Sequence, residues 1–137
     1  MARIALSKKG NTPFEQLLGH NSNVLESWSN LEIEFFKSNT FSDELKEEVR
    51  RTLAFNNGCQ YCMAKGKPSE NISDPKTLAA VKFADMFCKN SVDTKEFEKL
   101  KSLFKDDEIS ELCAFISFIS ASQKFGATLD LQPSCPL

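Results

Sequence analysis

Two of the five cysteines in this 137-residue chain, Cys59 and Cys62, are separated only by Gln60 and Tyr61. On a helix, residues three apart are neighbours, so this Cys-x-x-Cys spacing brings two thiols within disulfide reach. At a helix start, unpaired N–H groups and the helix dipole stabilise a thiolate, the species that attacks disulfides and peroxides. Asn56-Asn57-Gly58, immediately before the pair, suits the end of one helix and the start of another. By the dipole argument alone Cys59, nearer the helix start, is the more acidic thiol. Lys65 follows closely and adds positive potential, or is simply solvated. Tyr61 is placed to donate a hydrogen bond to a thiolate or, more simply, to pack as an aromatic.

Other chemistries fit the pair less well. Two cysteines in a helix also suit an inert core. Zinc needs four ligands, and here there is no second cysteine pair and only one histidine, His20, so no metal site and no cofactor are expected. A thioredoxin fold would place the motif between a strand and a helix, whereas the residues before Cys59 read as helix. His20 lies at a helix boundary and reads as a structural residue bonding a backbone group. Cys88 and Cys113 fall on apolar helix faces and read as inert core. Cys135, between Ser134 and Pro136, reads as an exposed free thiol or an intersubunit partner.

Composition narrows the setting. With 41% hydrophobic and 26% charged residues the chain reads as one globular domain, 1–137, with irregular arms at 1–12 and 127–137. A net charge of −2 leaves no basic surplus for phosphates, so no nucleic-acid partner is expected. The most apolar run, Leu112 to Ala121, falls short of the roughly 18–20 residues of a membrane span. Met1 to Lys9 has no apolar signal region, and five cysteines are too few for a disulfide scaffold. A reducing, cytoplasmic setting is therefore expected. Twelve Phe against one Trp and one Tyr call for extensive burial, some of it at a subunit interface.

The elements that must position the pair read as helices throughout, about six to seven of them. Residues 1–12 read as a mobile arm. Thr12, Pro13 and Glu15 form a capping-box start for a short helix to Leu18. Val24, Leu25, Trp28, Leu31 and Phe35 mark a long amphipathic helix ending near Ser38. Ser42 caps a third, with Leu45, Val49, Thr52 and Leu53 on one face. Cys59 to Ala64 opens a fourth. Ser73 or Asp74 caps a fifth that ends at Asn90-Ser91, and Thr94 opens a short charged sixth. After a connector at Lys105–Asp107, Ile109 to Phe125 is apolar nearly all round and should be central.

The stretch Leu45 to Ala64 resembles the signature of the alkylhydroperoxidase D / carboxymuconolactone decarboxylase family. That signature has a Glu twelve residues before the first Cys, a Gly approach, Cys-x-x-Cys, and a His four residues after the second Cys. Glu47, Gly58, Cys59 and Cys62 match, and Leu17 to Asn21 looks like the stretch ahead of the family's long helix. The position of the family histidine holds Gly66. The resemblance implies an all-α alkylhydroperoxidase D-like fold and a homo-oligomer, trimeric or larger. It implies that Cys62 attacks a hydroperoxide and becomes a sulfenic acid, which Cys59 resolves as a disulfide. Glu47 would take or relay a proton, and a lipoyl or thioredoxin-like dithiol would restore the pair. Glu47 also reads more plainly, as a solvated partner of Arg50 or Arg51 one turn on. His20 replaces the missing histidine only if the fold returns it to the pair. Without that histidine, two alternatives to a thiol-dependent peroxidase stand beside it: a disulfide reductase or exchange protein, and a catalytically degenerate binding module. The decarboxylase branch generally lacks the cysteine pair and ranks last.

Overall fold

The computed structural model describes residues 1–134. They form seven helices and no strand: α1 (Pro13–Leu18), α2 (Ser22–Lys37), α3 (Asp43–Asn57), α4 (Gln60–Met63), α5 (Pro75–Cys88), α6 (Thr94–Leu103) and α7 (Asp106–Thr128). The caps follow local chemistry. Thr12 and Glu15 exchange the two hydrogen bonds of a capping box, and Pro13 starts α1 where no N–H is needed. Ser42 caps α3 by accepting the Leu45 N–H, and Asp74, rather than Ser73, caps α5. Asp93 caps α6, which opens at Thr94 as expected.

α3 packs against α5 on one side and α7 on the other. Leu45, Val49 and Leu53 of α3 are buried against Ala80, Phe83 and Ala84 of α5 and Leu112, Phe115 and Ile116 of α7. Burying each large aliphatic or aromatic side chain contributes about 1.5–3 kcal/mol, so this three-helix layer carries most of the hydrophobic stabilisation. α7 is central, as its composition implies, although Ala114, Ser117 and Ala121 leave one stripe in solvent.

The structure corrects several boundaries. α7 begins at Asp106, because the Glu108 carboxylate accepts the Lys105 N–H and fixes a helix start within the expected connector. It continues to Thr128, into the segment read as irregular. The N-terminal arm is irregular but not loose. The Arg3 N–H donates to Leu129 O at 2.8 Å, and the Ser7 N–H to Gln16 O at 3.0 Å. The largest departure is α2. None of its residues is fully buried, and Val24 and Leu31, expected on its inner face, are exposed with Ile33 and Phe36. α2 is held on α7 by aromatic rings instead. Trp28 and Phe35 lie 5.5 and 5.4 Å from the Phe118 ring, and Trp28 Nε1 donates to Ser122 Oγ. No helix among the described residues is long and apolar enough to cross a membrane.

Candidate functional site

α3 ends at Gly58, whose φ of 66° is the left-handed conformation that glycine adopts without steric cost. The chain then turns so that Cys59 caps α4, with its Sγ accepting the Cys62 N–H at 3.2 Å. The helix expected over Cys59–Ala64 is thus a single turn, Gln60–Met63, too short to supply much dipole. Cys59 and Cys62 are joined by a disulfide, with Cα atoms 5.2 Å apart. The two sulfurs are not equivalent. Cys59 is 0% exposed, packed among Ala54, Ala127 and the bare backbone of Gly126, whereas Cys62 is 9% exposed and borders a cleft. Of the two sulfurs, it is that of Cys62 that borders the cleft, while Cys59, which the dipole argument favoured, is sealed from it.

The cleft has a volume of about 180 Å³. Phe14, Phe36, Phe118 and Ile119 give it apolar walls, and Glu32, Arg50, Tyr61 and Lys65 give it polar ones. Arg50 is its main strut. It forms a two-point hydrogen bond with Glu47, at 2.9 and 2.6 Å, and Nη1 donates to Cys62 O at 3.2 Å. Asn57 Nδ2 donates to Ser120 Oγ and Gln123 Oε1, and Gln123, itself on the cleft wall, donates from Nε2 to Arg50 O. These bonds tie the end of α3 and the cysteine turn to α7.

Glu47 does not line the cleft. It is turned into Arg50 and Arg51, and the Arg50 hydrogen bond in particular holds its carboxyl below the usual range despite partial burial. Beside Gly66, whose φ is 130°, stands the guanidinium of Arg51, with Nε 3.1 Å from where a side-chain carbon would begin. The space next to Gly66 is therefore filled by a cation bonded to Glu47 and Glu48. His20 does not return to the pair. Its Nε2 lies 2.7 Å from Ala5 O, fastening the N-terminal arm.

Tyr61 and Lys65 both border the cleft, the ammonium lying 5.0 Å from the ring centre. Lys65 as a whole residue is exposed, yet desolvation at its head and the Arg50 charge push its pKa down, against the pull of Glu32 and Glu47. Among the polar residues of the cleft, sequence reasoning missed Glu32, Ser122 and Gln123, and considered Arg50 only as a surface partner of Glu47. The signal for Glu32 was available: it lies four residues from both Trp28 and Phe36, a carboxylate on an aromatic stripe. Cys88 and Cys113 are half-buried free thiols whose pKa burial pushes up, in keeping with inert packing. Cys135 lies outside the described residues. Among those residues no cluster of His, Cys, Asp and Glu is arranged to hold a metal ion.

No protein-family model matches this sequence, and neither does any curated protein. Solved structures do match. A peroxidase-related protein of uncharacterised function from Silicibacter sp. superposes with a TM-score of 0.74 at 14% identity, covering 88% of this chain and 75% of its own. The debrominase Bmp8 gives 0.77 at 16% identity, covering 90% and 77%. An alkylhydroperoxidase AhpD core, an uncharacterised peroxidase-related protein from Ralstonia eutropha, gives 0.70 at 18% identity, covering 87% and 75%. The chain has the alkylhydroperoxidase D-like fold. In this fold the Cys-x-x-Cys turn sits between α3 and α7, and Glu32 and Phe36 of α2 line the cleft that Cys62 borders.

Proposed function

We propose that the protein is a thiol-dependent, peroxidase-like oxidoreductase that reduces hydroperoxides through Cys62 and Cys59. The observation that carries this reading is the asymmetry of the pair: a sulfur bordering a cleft, bonded to one sealed in the core. In the reduced protein, Cys62 attacks the peroxide and becomes a sulfenic acid. The buried Cys59 thiol, already adjacent, displaces water and closes the disulfide before a second peroxide can over-oxidise Cys62. The cations on the wall, Arg50 and Lys65, favour a thiolate at Cys62. A dithiol such as a lipoyl group or a thioredoxin-like protein reopens the bond by attacking the accessible sulfur. A homo-oligomer belongs to the same reading, since the exposed apolar side chains of α2 invite a covering surface.

The test is dithiothreitol-coupled consumption of cumene hydroperoxide and hydrogen peroxide by wild type and Cys62→Ser. The variant should fall to the uncatalysed rate, and unchanged turnover would sink the assignment.

The filled space beside Gly66 favours a second reading. Thiol–disulfide exchange needs a thiolate but less proton delivery than O–O cleavage, so a disulfide reductase suits a site without the histidine. A redox titration that gives a reversible Cys59–Cys62 disulfide, with no peroxide consumption, would select it. The debrominase among the structural matches carries its own weight here, because one fold hosts several chemistries and the site must decide.

A further inference from the structure

Peroxide cleavage at Cys62 needs a group that moves a proton from sulfur to the departing oxygen. His20 is bonded to Ala5 O, and Glu47 is held by two guanidiniums outside the cleft. The remaining carboxylate on the cleft wall with Cys62 that does not cap a helix is Glu32. Glu15, also at the cleft, is committed to the Thr12 N–H in its capping box. α2 places Glu32 between Trp28 and Phe36, so the helix face that packs toward α7 also carries a carboxylate to the approach to the sulfur. The charged and titratable groups around it are Glu15 from α1, Arg50 from α3, Tyr61 and Cys62 from α4, and Lys65 just after α4, while α7 lines the cleft with none. Glu32 as a whole residue is exposed, yet desolvation at its carboxyl raises it above its usual 4.5; Lys65 opposes that shift, and Glu15 adds to it. A carboxylate of raised basicity is better suited to collecting a thiol proton than one pinned by arginines.

We propose that Glu32, delivered from α2, is the proton shuttle for Cys62 and performs the task that the family assigns to a histidine after the pair. The inference rests on the peroxidase reading. The Glu32 carboxylate accepts the Cys62 thiol proton, and the thiolate attacks the terminal peroxide oxygen. The S–O bond forms as the O–O bond breaks, so that sulfur loses two electrons and the peroxide gains them. Glu32 then passes its proton to the departing alkoxide, giving an alcohol and the Cys62 sulfenic acid, and ends as it began.

The experiment compares full-length wild type, E32Q and E32D in the reduced state. It reads cumene hydroperoxide turnover across pH and the rate of Cys62 alkylation by iodoacetamide, followed by peptide mass. E32Q should slow turnover by about 100-fold, the lower end of general acid–base effects. Its Cys62 alkylation, in which no proton is delivered to a departing oxygen, should fall far less than turnover does. E32D should recover part of the turnover. A purely structural role would depress both readouts together, and that result overturns the proposal. An active wild type matched within about twofold by E32Q, with the same pH profile, overturns the shuttle alone. A wild type no more active than Cys62→Ser overturns the peroxidase reading and the shuttle with it.

Discussion

Gly126 lies inside α7, where a glycine ordinarily weakens a helix by about 1 kcal/mol relative to alanine. Its value here is space. A methyl group at that position would start 3.2 Å from Cys59 Sγ, a sulfur that is fully buried and bonded to Cys62. With no room to retreat, overpacking of about 1–3 kcal/mol should outweigh the propensity gain. Gly126→Ala is therefore expected to destabilise the oxidised protein by roughly 1 kcal/mol in urea unfolding, and by less with excess dithiothreitol, where the free Cys59 side chain can turn aside. A stabilised oxidised variant would contradict this account. The same residue-scale logic explains why a histidine cannot simply be restored at Gly66. Its φ of 130° strains any side chain, and the Arg51 guanidinium already fills the space. Arg51 in turn bonds the buried Glu48, which accepts the Ser69 N–H and so pins the loop after α4.

At the scale of elements, α2 and α3 are similar amphipathic helices in sequence but differ in attachment. Seven residues of α3 are buried, and none of the sixteen in α2. α2 meets α7 through the rings of Trp28, Phe35 and Phe36, and its C-terminal carbonyls receive the Lys46 ammonium from α3. Local opening costs least where few apolar contacts must break. Amide hydrogen exchange should therefore be at least about tenfold faster across Trp28–Phe36 than across Val49–Leu53, a gap of about 1.4 kcal/mol. Equal protection would show that something else holds α2 down, such as a second copy of the chain. α2 carries Glu32 and Phe36, both on the wall of the cleft that Cys62 borders.

For the molecule as a whole, several carboxyls are held below their usual range by hydrogen bonds. Glu47 is lowered first by Arg50, Asp85 by Lys89, and Asp74 by the Thr77 it caps. A carboxyl with a depressed folded-state pKa binds fewer protons folded than unfolded. Its stabilisation is complete above the unfolded value and is lost as pH falls through the folded one. Glu32 has the opposite sign, since burial raises it and penalises the folded state as it ionises. Thermal unfolding should thus lose stability as pH drops below about 4.5, the ordinary glutamate value. Because Glu47 keeps 39% of its side chain in solvent, its share is modest. Glu47→Gln should cost roughly 0.5–1 kcal/mol at neutral pH and converge on wild type in acid. A difference that persists at low pH would assign Glu47 a packing role instead of a charge role.

The sequence by itself determined the local structure. Thr12, Ser42 and Gly58 mark helix ends because capping and left-handed turns depend on a few adjacent atoms. The three-residue spacing of Cys59 and Cys62 set a disulfide-capable pair for the same reason. The α3 core face was legible because burial follows helical period. Only the tertiary structure decided which sulfur is reachable, since Gly126 and Ala127, more than sixty residues away, seal Cys59 and not Cys62. It also decided that the Glu47 carboxylate is spent on Arg50 and Arg51, and that Glu32 stands on the cleft wall. Charge partners and access are properties of surfaces brought together by distant segments. A motif spacing encodes neither, so the Cys59–Cys62 pair was visible in the sequence while the groups around it were not.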